Sequence, residues 1–250
     1  MAHKKMNFFF IIIKKAGVLL IFISCIIPVF SQYSMGTTGL LNTPNANMQK
    51  DGMFIIGTNY IPKDIMPDYW DYNTGNYFLN ITFFPFIEIA YRCTFLKVNN
   101  NNEINWNQDR SVSLRLRAIK ESRFMPSIVV GSNDLLTTRE LNVFEKSKGN
   151  RFFSSIYAVA TKNIYINRNK LSITSGSYIL SKNELYKGVF GGIEYSPSFL
   201  RQVSIIAEYD SNCINTGLTV LLFRHLSLHA FSYDFKAISF GLRYEFCLLN

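Results

Sequence analysis

Apolar and polar positions alternate along most of this chain with a period of two. Near the C-terminus Ile238, Phe240, Leu242, Tyr244 and Phe246 interleave with Ser239, Gly241, Arg243 and Glu245. One face of such a segment is apolar and aromatic and the other small or charged, which fits an extended strand and not a helix. Upstream, Val112, Leu114, Leu116 and Ala118 alternate with Ser111, Ser113, Arg115 and Arg117, and Ile87, Ile89, Tyr91, Cys93 and Phe95 with Glu88, Ala90, Arg92 and Thr94. A less clean repeat sets Val203, Ile205, Ala207 and Tyr209 against Ser204, Ile206, Glu208 and Asp210. The spacing predicts strands over 53–60, 77–84, 86–96, 110–119, 126–132, 152–162, 170–180, 188–196, 202–210, 215–223, 225–233 and 237–246. Turn chemistry such as the asparagine run at 99–102, Asn167-Arg168-Asn169 and Ser211-Asn212 separates them. That makes about twelve strands, within a range of about ten to fourteen.

The first residues follow a different rule. Lys4, Lys5, Lys14 and Lys15 precede an apolar stretch from Ala16 to Phe30, and Val29 and Ser31 stand before a cleavage point ahead of Gln32. Residues 1–31 therefore read as a signal peptide. A membrane anchor, and a lipid-attachment site at Cys25 after Phe22-Ile23-Ser24, are the competing readings of the same stretch. Beyond it, no apolar run reaches the roughly 18 residues that a helical span needs. Residues 32–52 form an N-terminal segment, too polar and kinked for a spanning strand, that tucks into a lumen or lies on the periplasmic side. Residues 53–250 carry the strands.

Composition narrows the class. Of the 250 residues 48% are hydrophobic, 15% aromatic and only 17% charged, which excludes a disordered chain. Four cysteines exclude a disulfide-dense miniprotein. After the leader, Cys93, Cys213 and Cys247 remain; none lies at metal-ligand spacing, and Cys93 and Cys247 read as small hydrophobes on apolar strand faces. The net charge of +9 owes four lysines to the leader, and the modest remaining excess argues for no nucleic-acid partner.

An exported, aromatic-rich, strand-built chain is either a water-soluble β-sandwich or an antiparallel transmembrane β-barrel. Alternation alone does not separate them. Rings near the strand ends (Tyr60, Phe83, Phe84, Phe86, Phe95, Tyr195, Tyr209, Tyr244, Phe246) suit the aromatic girdles of a membrane barrel. In such a barrel charged side chains avoid lipid, so Glu88, Arg92, Arg115, Arg117, Glu194, Glu208, Arg243 and Glu245 are expected to face the lumen, where opposite signs can pair. The last strand, through Gly241, Tyr244 and Phe246, looks like the C-terminal signal read by the barrel-assembly machinery of Gram-negative bacteria. An all-β barrel of the outer membrane is the expected fold, with lipid and that machinery as partners.

Gly36-x-x-Gly39-Leu40-Leu41-x-Thr43-Pro44-x-Ala46-x-Met48, followed by Asp51-Gly52, resembles the opening motif of the YjbH family of bacterial outer-membrane exopolysaccharide proteins. Phe84-Pro85-Phe86-Ile87-Glu88 with Tyr91-Arg92, then Asp109-Arg110, Leu114-Arg115-Leu116, Glu121-Ser122, Met125-Pro126 and Val130-Gly131-x-x-Asp134 follow in the family's order. So do Tyr157-x-Val159-Ala160-Thr161-Lys162, Phe190-Gly191-Gly192-Ile193-Glu194-Tyr195 and Ala207-Glu208-Tyr209-Asp210. The chain departs after Asp134, where Leu135-Leu136-Thr137-Thr138-Arg139 replaces the family's Gly-Thr-Gly turn, and at Ile156, where relatives tend to be acidic. The resemblance implies a role in production or export of extracellular polysaccharide or capsule, with polysaccharide and export proteins as further partners. It supplies no catalytic residue.

An enzymatic reading is the alternative. His225, Ser227 and His229 would share one face of a strand, and a lipid or glycan hydrolase needs a hydroxyl within hydrogen-bond reach of an imidazole. Neighbours two apart on a strand lie about 7 Å apart along the backbone, so the lumen-facing, non-catalytic reading is favoured, with no metal or other cofactor. Asp64, Asp68 and Asp71 beside Tyr69 and Trp70 form either a glycan-contacting loop or a solvated one.

Overall fold

The computed structural model describes residues 31, 33–66, 71–100, 103–137, 140–141, 153–181 and 186–249. The leader through residue 30, with Cys25, and the Pro67–Trp70 part of the acidic loop lie outside the described residues. Among those described, thirteen strands form one sheet. They are β1 (Met53–Ile61), β2 (Thr74–Phe83), β3 (Ile87–Asn100), β4 (Glu103–Ile119), β5 (Ser127–Thr137), β6 (Glu140–Leu141) and β7 (Ser155–Ile166). Then follow β8 (Asn169–Ser181), β9 (Gly188–Ser196), β10 (Val203–Tyr209), β11 (Ile214–Leu222), β12 (Leu226–Tyr233) and β13 (Ala237–Cys247).

Each long strand pairs antiparallel with its sequence neighbour, and β13 returns to β1, from Met53↔Cys247 to Tyr60↔Phe240. The two-residue β6 only folds back antiparallel on the end of β5; the other twelve strands close into a barrel. Closure gives each of these twelve strands a partner on both sides, and beyond Thr94 and Ser111 the ends of β3 and β4 pair only with each other. The expected number and antiparallel order are therefore met. No helix among the described residues is long or apolar enough to cross a membrane.

The period-two pattern sorts side chains as an inverted domain would. On β13, Ile238, Phe240, Leu242 and Tyr244 point outward and are 40–67% exposed, whereas Ser239, Arg243 and Glu245 are buried. Ile56, Leu79, Leu116, Ile173, Ile193, Ile205 and Leu218 continue the outer face on the other walls. Rings zip the closing seam from outside, with Phe54 and Phe246 5.1 Å apart and Tyr60 stacked on Phe240 at 5.0 Å.

One rim gathers the start of β1, the end of β13 and mostly short links. The Phe84–Phe86 link is a 3-10 turn, and Asn167 and Arg168 both adopt positive φ, as a two-residue hairpin whose twist matches the flanking strands requires. The opposite rim carries the link from β1 to β2 and the β3–β4 hairpin, whose strands of 14 and 17 residues exceed the roughly 9–11 that span a bilayer.

Four expectations change. The asparagine run continues the pairing as far as Asn100↔Glu103, so the strands extend well past the residues at which the alternation ends. β5 runs on to Thr137 because a bulge opposite Val112 and Leu114 lets pairing resume beyond Asp134, which takes φ 48° and turns inward together with Asn133. His225 is exposed in the turn before β12, not in the strand. Cys247 stands exposed at the end of β13 in the phase of Arg243 and Glu245, so it is not on the apolar face.

Candidate functional site

The barrel interior is filled by the chain's own N-terminal segment. Ser31 and residues 33–49 are buried apart from half-exposed Asn47. The segment holds itself in a compact fold: Leu40 N–H donates to the Thr43 carbonyl at 2.8 Å, Ser34 N–H to Leu41 at 3.0 Å, and Gly39 bridges to Pro44. Gly39 is required there, because a Cβ would meet the Thr43 carbonyl oxygen and the Tyr33 side chain at 2.5 Å.

The inward charges of the wall hold this plug. On β10, Glu208 accepts from Leu41 N–H at 3.0 Å, Asn42 N–H at 2.6 Å, the Thr43 hydroxyl at 2.8 Å and the Asn215 amide at 3.1 Å. On β3, Glu88 accepts from Thr38 N–H and the Asn80 amide, each at 2.6 Å. Its register partner Arg115 on β4 pairs with Glu88 and donates to the carbonyls of Asn45 and Asn47. Ala46 donates its N–H to Thr161 at 2.8 Å and accepts from Ser127 at 2.9 Å. Leu40, Thr43, Pro44 and Ala46 are thus all packed in the lumen, while Gly52 (φ 70°) sits against Leu249 at the rim.

Toward the loop rim, Arg92 forks onto both oxygens of Asp134 at 2.8 Å, lies 4.4 Å from the Phe153 ring and touches the Met35 sulfur. Tyr33, Tyr157, Tyr178, Tyr186 and Phe190 fill the space beside it, with Tyr178 and Phe190 4.6 Å apart. The expected pairing of opposite charges holds for Glu88 with Arg115. Glu208 instead serves plug backbone N–H groups, and the partner of Arg92 is Asp134, which no alternation marks; only the motif ending in Asp134 pointed to it.

Glu194, Arg243 and Glu245 face the lumen on the remaining walls. Ser31 reaches Glu194 at 3.5 Å. The Arg243 guanidinium, the Ser227 hydroxyl and His229 Nε2 are buried with no hydrogen-bond partner among the described residues. Ser227 therefore does not bond His229, and His225 Nδ1 lies against the Glu245 carbonyl at 2.8 Å, away from both. The hydrolase constellation is not assembled. Gly241, placed in the closing strand opposite Asn59, gives room to the His229 ring, whose Cε1 a Cβ would meet at 2.4 Å. Arg117 is half-buried at the short-turn rim. Lys63 pairs with Asp71 at 2.6 Å on the exposed loop, and Asp64 is exposed beside it. No cluster of three or more metal-ligating side chains occurs among the described residues.

The ordered motifs and the filled barrel coincide with a family model, YjbH, described as exopolysaccharide biosynthesis protein YbjH, which matches residues 31–245. The chain belongs to the YjbH family. The match runs from Ser31 and so takes in the plug as well as the barrel. The "Uncharacterized lipoprotein YjbH" of Escherichia coli (strain K12) is 25% identical over 210 residues, covering 73% of this chain and 28% of that protein. This YjbH-family chain thus spans less than a third of that relative's length. Among solved structures, the Salmonella typhi outer membrane phospholipase dimer with bound calcium is similar at a TM-score of 0.32 and 11% identity, over 77% of this chain and 88% of that one; a likeness at this level carries no argument about activity.

Proposed function

We propose that this protein is an outer-membrane β-barrel of a Gram-negative bacterium, sealed by its own N-terminal segment, that supports production or export of extracellular polysaccharide or capsule without catalysing a reaction. The observation that carries this reading is the inverted burial: arginines and glutamates inside, Phe240, Leu242 and their neighbours outside. In water such an outer face is a very large apolar patch; in lipid it is the expected surface of a closed sheet. Family membership supports the polysaccharide part. The filled lumen favours an accessory role over an open conduit for a thick polymer. The barrel-assembly machinery would read the terminal strand through Gly241, Tyr244 and Phe246, and polysaccharide and export proteins would be its working partners.

Membrane fractionation and gene deletion test the proposal. The protein should resist carbonate extraction, need detergent, and migrate faster on gels before heating than after. Deletion should alter surface polysaccharide, while the purified barrel turns over neither phospholipid nor glycan. Extraction by carbonate alone would return the chain to a soluble binding module. Hydrolysis lost in Ser227→Ala would return it to the enzymes.

A further inference from the structure

The short-turn rim carries an open cavity of about 720 Å³ where the plug's Asn47 and Met48 meet the ends of β4 and β7. Arg117 continues the inward phase of Ser111, Ser113 and Arg115, and Tyr165 continues that of Tyr157, Val159 and Thr161. Both side chains thus stand at the mouth of the barrel and not on its apolar belt. Lys120 and Arg123 from the following loop, and Lys162 from β7, add positive charge; the sole acid in the lining is Glu121. Glu121 is already engaged, by Lys162 at 3.2 Å and by the Asn163 backbone N–H at 2.8 Å. Arg117, Lys120 and Arg123 have no carboxylate partner among the described residues, and the Tyr165 ring is 71% exposed.

We infer that this mouth binds a carboxylate-bearing sugar unit of an acidic glycan. The inference deepens the polysaccharide reading above and rests on it. An exposed ring offers its face to the C–H side of a pyranose. Guanidinium groups recognise a carboxylate with paired N–H bonds. Asn163 in the same lining is already engaged by Asn47, Glu121 and Ser172, so recognition at the mouth rests on the ring and the cations. Uncompensated cations beside a low-dielectric wall concentrate anions at the opening. The inward phase of Arg117 and Tyr165 favours a ligand on the barrel axis over an anionic lipid headgroup.

Calorimetric titration of the purified full chain in detergent tests this, using a glucuronate hexasaccharide, an uncharged glucose hexasaccharide and phosphatidylglycerol. Arg117→Gln/Arg123→Gln and Tyr165→Ala are the variants, each checked for retained heat-modifiable migration. The acidic oligosaccharide should bind at least about tenfold more tightly than the neutral one, weaken by about tenfold in either variant, and weaken further as salt rises. Equal affinity for the neutral sugar, affinity unchanged in both variants, or displacement of the acidic sugar by phosphatidylglycerol would each overturn it. Altered surface polysaccharide on deletion, with no affinity for the acidic oligosaccharide, would overturn this inference and leave the polysaccharide reading standing.

Discussion

Glu208 joins wall to plug through bonds from two backbone N–H groups and a hydroxyl of the plug, and the Asn215 amide holds it from the neighbouring strand. A buried donor left without its acceptor costs about 1–3 kcal/mol. Glu208→Ala is accordingly expected to loosen residues 40–43, seen as faster protease cleavage within 33–49 of a barrel whose strands remain intact. A second residue-level expectation concerns the thiols. Burial, with the Asp210 carboxylate beside it, pushes the Cys213 thiol in the β10–β11 turn up to about 12. The thiolate is the reactive form, so at pH 8 iodoacetamide should label exposed Cys247 and spare Cys213, and Cys213 labelling should rise with each further pH unit. Mass spectrometry of the alkylated peptides reads both. At this scale the inward charges were legible in the alternation, since Glu88, Arg92, Arg115 and Arg243 stand opposite apolar neighbours. Their partners were not: Asp134 turns inward only through a bulge, and the plug groups that bond Glu208 come from a segment about 165 residues away in sequence.

Strands were the most legible elements. Period two survives wherever one face meets apolar surroundings and the other a polar interior, and the β13 pattern is the cleanest because Arg243 and Glu245 are both buried. Strand ends were less legible, because pairing in the β3–β4 hairpin depends on backbone partners and not on side-chain polarity. His225 shows the same limit: the turn at Phe223 and Arg224, both at positive φ, removes it from the strand that its spacing suggested. The outer face yields a direct test. A charge facing lipid near the bilayer midplane costs about 2–4 kcal/mol. Leu242→Arg should lower the stability of the folded barrel in lipid vesicles by that amount, read as a shift in the urea unfolding midpoint. The outward Leu242→Ile should leave it nearly unchanged.

At the scale of the whole molecule, plug and barrel are one folded unit. Removing residues 33–49 should leave a tube lined by Glu88, Arg92, Arg115, Glu194, Glu208 and Arg243. In a planar lipid bilayer that variant should conduct ions in discrete steps where the full chain does not; equal conductance in both would show that the segment does not seal the lumen. The sequence placed this segment inside or beneath the barrel without deciding between them, because its polar residues suit either water or a polar lumen. Only closure of the sheet resolves the choice. The plug also does more than fill space. Its ties run to β3 and β4 on one side and to β10 on the other, and these walls lie across the bore from each other in the strand order. The segment therefore works as a strut: it fixes the width of the cylinder, resists flattening from either side, and stays moored by one wall if the other lets go.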